Sequence, residues 1–98
     1  MRTYLSTDVE ELEEVAVAED TGSEDVAYLL VYNDDHNTFE HVIGCFQDIL
    51  QYDCTQAEQL AMLIHFKGKA TVKTAAKHIL RPEREALVDR GLSAVIEG

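Results

Sequence analysis

Asn33, Asp34 and Asp35 follow directly on an apolar run, and His65 lies three residues before Gly68. A carboxamide oxygen, a carboxylate and a neutral imidazole all accept hydrogen bonds. Brought to one point, Asn33, Asp35 and His65 would suit an ammonium group. That requires the segment after the apolar run to fold against the stretch ending at Gly68. On its own, a histidine at a helix end is more often a structural residue or a partner of the helix dipole.

Other combinations carry less. Asp34 and Asp35 are neighbours, and adjacent residues leaving a strand point apart, which makes them a poor acid–base pair. Adding His36, His41 and His65 gives a conceivable metal cluster, and a metal-dependent hydrolase as a third reading. None of these residues falls on a recognised zinc spacing, so no metal and no cofactor is expected. Lys67-Gly68-Lys69-Ala70-Thr71 is not a phosphate loop, because the upstream glycine it needs would stand where Leu63 does. Cys45 and Cys54 have no histidine at a working spacing and read as two buried or half-buried thiols.

The elements that must position these residues are legible in outline. Ala27-Tyr28-Leu29-Leu30-Val31-Tyr32 is a buried strand by its apolar, strand-forming content. Asn33 to Asn37 form a polar turn, and Asn37 with Glu40 reads as a capping box. The helix after it carries Val42, Ile43, Phe46, Ile49 and Leu50 on one face. Thr55 with Glu58 reads as a second capping box, opening a helix with the stripe Ala57, Leu60, Ala61 and Ile64. Gly68 is the stop of that helix. Lys69 to Thr74 is a modest strand, and a third helix runs from about Ala76 to Arg90. Pro82 either kinks that helix or starts its better-formed part. Gly91 ends it, and Leu92 to Glu97 is a terminal strand. The predicted order is β-α-α-β-α-β, an α+β fold with a small three-stranded sheet covered on one side by three helices.

The 98 residues leave room for one such domain, and 46% of them are apolar, enough for a small core. Nineteen acids face eight bases, a net charge of −11. Such a chain is a poor ligand for a phosphate backbone and is repelled by anionic membranes. No stretch approaches the roughly 20 apolar residues of a membrane span. Met1 to Ser6 lead into acidic sequence without the apolar core of a signal peptide, so a cytoplasmic protein is expected.

The charge is concentrated. Asp8, Glu10, Glu11, Glu13, Glu14, Glu19, Asp20, Glu24 and Asp25 stand against Arg2 alone, so residues 1–26 carry −8 and residues 27–98 carry −3. Like charge at this density disfavours packing. Residues 1–26 therefore read as a flexible acidic arm and residues 27–98 as the folded core.

Three stretches of that core carry a resemblance. Leu30-Val31-Tyr32-Asn33-Asp34-Asp35, Phe39-Glu40-His41-Val42 and His65-Phe66-Lys67-Gly68-Lys69-Ala70 resemble the ClpS family of adaptors for Clp proteases over about residues 27–97. The resemblance implies a non-enzymatic adaptor. Such an adaptor binds proteins whose first residue is Leu, Phe, Tyr or Trp and delivers them to a ClpA- or ClpC-like AAA+ unfoldase. It implies that Asn33, Asp35 and His65 hold the free α-ammonium, with Asp34 on the same polar rim. It also implies a pocket for the first side chain lined by Phe39, Val42, Ala61, Ile64 and Leu92. The acidic arm would engage the unfoldase during delivery.

The chain departs from the family pattern in places. Asn37-Thr38-Phe39 replaces Thr-Pro-Met, Ala61 stands where a methionine often guards the pocket, and Lys77 to Pro82 replace acidic and lysine residues. The alternative is a ribosomal stalk-like interaction domain that reads no chain end. In that case Asn33 and His65 would lie far apart.

Overall fold

A computed structural model describes residues 25–98. The elements are strand β1 (Val26–Tyr32), helix α1 (Phe39–Leu50), helix α2 (Cys54–Lys67), strand β2 (Lys69–Ala76), helix α3 (Lys77–Asp89) and strand β3 (Ser93–Glu97). This is the predicted order with shifted ends. β1 starts one residue early and β2 runs two residues longer than expected. Of the proposed arm, residues 1–24 lie outside the described residues.

β1 is the middle strand of an antiparallel sheet ordered β2-β1-β3. Its inward side chains, Ala27, Leu29 and Val31, belong to the core cluster. On the other face Tyr28 is 45% exposed and Leu30 only 7%. β1 is thus buried along its helix-facing side and in part on the other, where the helices do not cover the sheet. The register with β2 skips Val72, since Leu29 pairs with Lys73 and Leu30 with Thr71. The Val72 carbonyl accepts the Tyr52 hydroxyl at 2.6 Å, which ties the α1–α2 turn to this bulge.

The core is built from Leu29, Val31, Phe46, Leu80 and Leu87, each at 1% exposure or less. α1 buries Cys45, Phe46 and Leu50, with Val42, Ile43 and Ile49 packed half-buried against the same cluster. α2 buries Ala57, Ala61 and Ile64, and two of these three are small enough to bring its backbone close to its neighbours.

Both helix starts differ from the predicted ones. The cap of α1 is Thr38, whose Oγ1 accepts the His41 N–H at 3.0 Å, and not Asn37. The cap of α2 is Asp53, whose carboxylate accepts the Gln56 N–H at 2.8 Å, and not Thr55. Each alternative cap satisfies an orphan N–H of the first turn equally well, so local spacing alone does not choose between them. The predicted stops hold: Gly68 and Gly91 have φ of 92° and 94°, a region glycine enters without steric cost. Pro82 lies inside α3 and does not begin it. The cysteine reading holds for buried Cys45 and fails for Cys54, which opens α2 facing solvent.

Candidate functional site

The Asn33 N–H donates to the Gly68 carbonyl at 2.8 Å. Gly68 caps α2, so this bond clamps the beginning of the β1–α1 loop onto the helix end that carries His65. A cavity of about 440 Å³ opens there, lined by Asn33, Asp34, Asp35, Asn37, Phe39, Val42, Ala61, Ile64 and His65. The loop supplies most of the polar groups, and the facing sides of α1 and α2 supply the apolar ones. Leu92 does not line this cavity. It lies 4% exposed beside a much smaller void that shares Asn33, Asp34, Asn37, Val42 and Ile64 with it.

The two neighbouring aspartates do different things. Oδ1 of Asp34 accepts the backbone N–H of His36 at 2.9 Å and of Asn37 at 3.0 Å, and both carboxylate oxygens accept from Asn37 Nδ2. Burial would raise the Asp34 pKa. The bonds from His36 N–H and from the Asn37 side chain and backbone outweigh it and hold the pKa below its ordinary value. Asp34 is therefore spent on the turn. Asp35 and Asn33 are exposed, and among the described residues no hydrogen bond engages either side chain. His65 is also exposed, with its ring edge-on to Phe66 at 5.2 Å between centroids.

Asn37 is the residue that the capping argument misplaced. Its Nδ2 bonds Asp34 and also the Gly91 carbonyl at 2.9 Å. One amide thus locks the β1–α1 loop to the α3–β3 turn. Sequence carried no signal for this, because the partner carbonyl lies 54 residues away.

His41 likewise serves the scaffold. Its Nε2 donates to the Arg90 carbonyl at 2.8 Å, since a carbonyl can only accept. The Sγ of Cys45 lies 3.5 Å from the same nitrogen, a histidine one helical turn away that the cysteine reading overlooked. With its Nε2 proton held by Arg90, His41 cannot serve Cys45 as a base through that nitrogen, and burial pushes the Cys45 thiol pKa up. Among the described residues, no three His, Cys, Asp or Glu side chains gather where they could hold a metal ion. Among the same residues, no helix is long and apolar enough to cross a membrane.

A three-stranded antiparallel sheet under three helices, with a half-polar cavity at the β1–α2 junction, defines a small binding domain. The family model described as "ATP-dependent Clp protease adaptor protein ClpS" matches residues 23–94, and the chain belongs to that family of adaptors. The ClpS adapter of Corynebacterium aurimucosum is 30% identical over 88 residues, covering 89% of this chain and 79% of that protein. The ClpS adapter of Sodalis glossinidius is 34% identical over 65 residues, covering 58% of this chain and 61% of the relative's length. Among solved structures, Agrobacterium tumefaciens ClpS2 bound to L-phenylalaninamide shares the fold. Its TM-score is 0.68 at 20% identity, over 74% of this chain and 94% of the other.

Proposed function

We propose that the cavity takes the first residue of a substrate protein, and that the chain passes this substrate to a Clp AAA+ unfoldase in the cytoplasm without catalysing a reaction itself. The observation that carries this reading is the juxtaposition of Asn33, Asp35 and His65 with the apolar wall of Phe39, Val42, Ala61 and Ile64 around one cavity. The α-ammonium donates to the Asn33 oxygen, the Asp35 carboxylate and a neutral His65 nitrogen. Asp34 holds the loop that presents them. The first side chain enters the apolar part, and Leu92 backs it from the adjoining void.

Each charge-assisted hydrogen bond contributes about 1.5–3 kcal/mol, and burying a Leu or Phe side chain adds about 1.5–3 kcal/mol. Ordering the peptide offsets much of this, which brings the affinity to roughly micromolar. An internal peptide bond has no ammonium and leaves the acceptors unpaired, so chain ends are selected. L-phenylalaninamide, the ligand of the Agrobacterium protein, has the matching chemistry: a free ammonium, an aromatic side chain and a capped carboxyl group.

The test is fluorescence anisotropy with peptides beginning in Leu, Phe or Tyr, each free or N-acetylated. Binding of the free peptides alone is expected. Equal binding of acetylated peptides would sink the ammonium mechanism.

A further inference from the structure

The most exposed large apolar side chain among the described residues stands just outside the cavity. Phe66, on the last turn of α2, is 74% exposed, and Met62, one turn earlier, is 45% exposed. Neither lines the cavity, and neither belongs to the core cluster. Single exposed apolar residues are ordinary on a protein surface. What sets this pair apart is its position.

Ala61 and His65 are spaced i, i+4 on α2 and both line the cavity. On one side of that row, Ile64 is buried. Met62 follows Ala61 and Phe66 follows His65, so at about 100° per residue they form a parallel row on the other, solvent side. The two rows touch, since the Phe66 ring meets the His65 ring edge-on with 5.2 Å between centroids. The apolar wall of the cavity therefore continues past His65 onto an open strip of thioether and aromatic surface.

We propose that Met62 and Phe66 form a subsite for the second residue of the bound substrate, taking an apolar side chain such as Leu or Met. The inference rests on the cavity receiving the first residue. With the ammonium held at His65, the Cα of the second residue lies only about 3.8 Å from that of the first. A side chain of medium length then spans the remaining few ångströms to the Phe66 ring. Aromatic and thioether surfaces gain from apolar contact and offer a polar side chain no strong partner. The contact is open on one side and buries only part of the incoming side chain. The gain is therefore modest, roughly three- to tenfold in affinity. The ammonium and the first side chain decide whether a chain end is held, and the second residue sets how long, through the dissociation rate.

The experiment is fluorescence anisotropy with peptides that all begin in Phe and carry Leu, Met or Asn second. Asn is close to Leu in size and shape, so the comparison reads apolarity. The wild-type chain should bind the Leu and Met peptides roughly three- to tenfold tighter than the Asn peptide, and Phe66→Ala should reduce that advantage to about twofold or less. The readout is a ratio between peptides sharing a first residue, so any shift of His65 on losing Phe66 weakens both and cancels. Met62→Ala should narrow the same ratio without altering the neighbour of His65. Equal affinities across the second position in the wild-type chain overturn the subsite. An advantage for Leu and Met that survives both substitutions overturns it too. If no Phe-first peptide binds at all, the first-residue reading falls and this inference with it, whereas binding indifferent to the second residue removes the subsite alone.

Discussion

Asn33 and Gly68 are joined by one backbone hydrogen bond of 2.8 Å, from the N–H of the first loop residue to the carbonyl of the α2 cap. This bond makes the spacing of Asn33 and Asp35 from His65 a property of the backbone. Gly68→Ala tests it. A Cβ there meets no atom within 4 Å, so the only cost is the backbone strain at φ 92°. Urea denaturation should show a loss of about 1 kcal/mol. Peptide affinity should fall as well, and unchanged affinity in a destabilised variant would show that the clamp is not what sets the site.

Asp35→Ala and His65→Ala each remove an acceptor from the proposed ammonium site. With charge-assisted bonds worth about 1.5–3 kcal/mol, each should weaken binding of a Phe-first peptide roughly ten- to a hundredfold. The exposure of both side chains predicts little change in melting temperature. Anisotropy and thermal melts on the same samples separate the two effects.

Asp34 should show itself in stability and its pH dependence. Its folded pKa is depressed, so its contribution is present above the unfolded value of about 3.9 and is lost as pH falls through the folded value. The gap in stability between wild type and Asp34→Asn should therefore be open near neutral pH and close below about pH 3.9. Denaturation series at stepped pH measure it, and a gap that widens in acid would contradict the sign.

Ala61→Met places a long side chain in the cavity wall. Overfilling a formed site costs about 1–3 kcal/mol. Peptides beginning in Phe or Tyr should lose more affinity than those beginning in Leu, and a competition series across the three reads this directly.

Removal of residues 1–24 leaves β1 whole, because the strand begins at Val26. Peptide binding should persist in this variant while delivery to the unfoldase, followed by degradation of a Phe-first reporter, falls. Loss of peptide binding would mean that the division between arm and core is wrong.

Much of the fold was legible in the sequence because its signals are local. Apolar spacing marked the buried faces of α1 and α2, and Gly68 and Gly91 marked helix ends whose positive φ disfavours other residues. Hydrogen-bond chemistry picked out Asn33, Asp35 and His65, which line the cavity, and passed over Asn37, which lines it too. Asn33, Asp34 and Asp35 are consecutive and chemically alike, yet Asp34 turns inward to bind its own loop while Asp35 stays exposed.

Helix starts went astray where two caps competed. Asn37 and Thr38 can each satisfy the first turn of α1, and the choice falls to Thr38 while Asn37 bonds Gly91 across the fold. Which segments are helix or strand, and where glycine ends a helix, could be read along the chain, since those are properties of a few neighbouring residues. Which of the like side chains around the cavity are engaged by the scaffold depends on the folded chain, because a hydrogen-bond partner 54 residues away exerts no constraint until then.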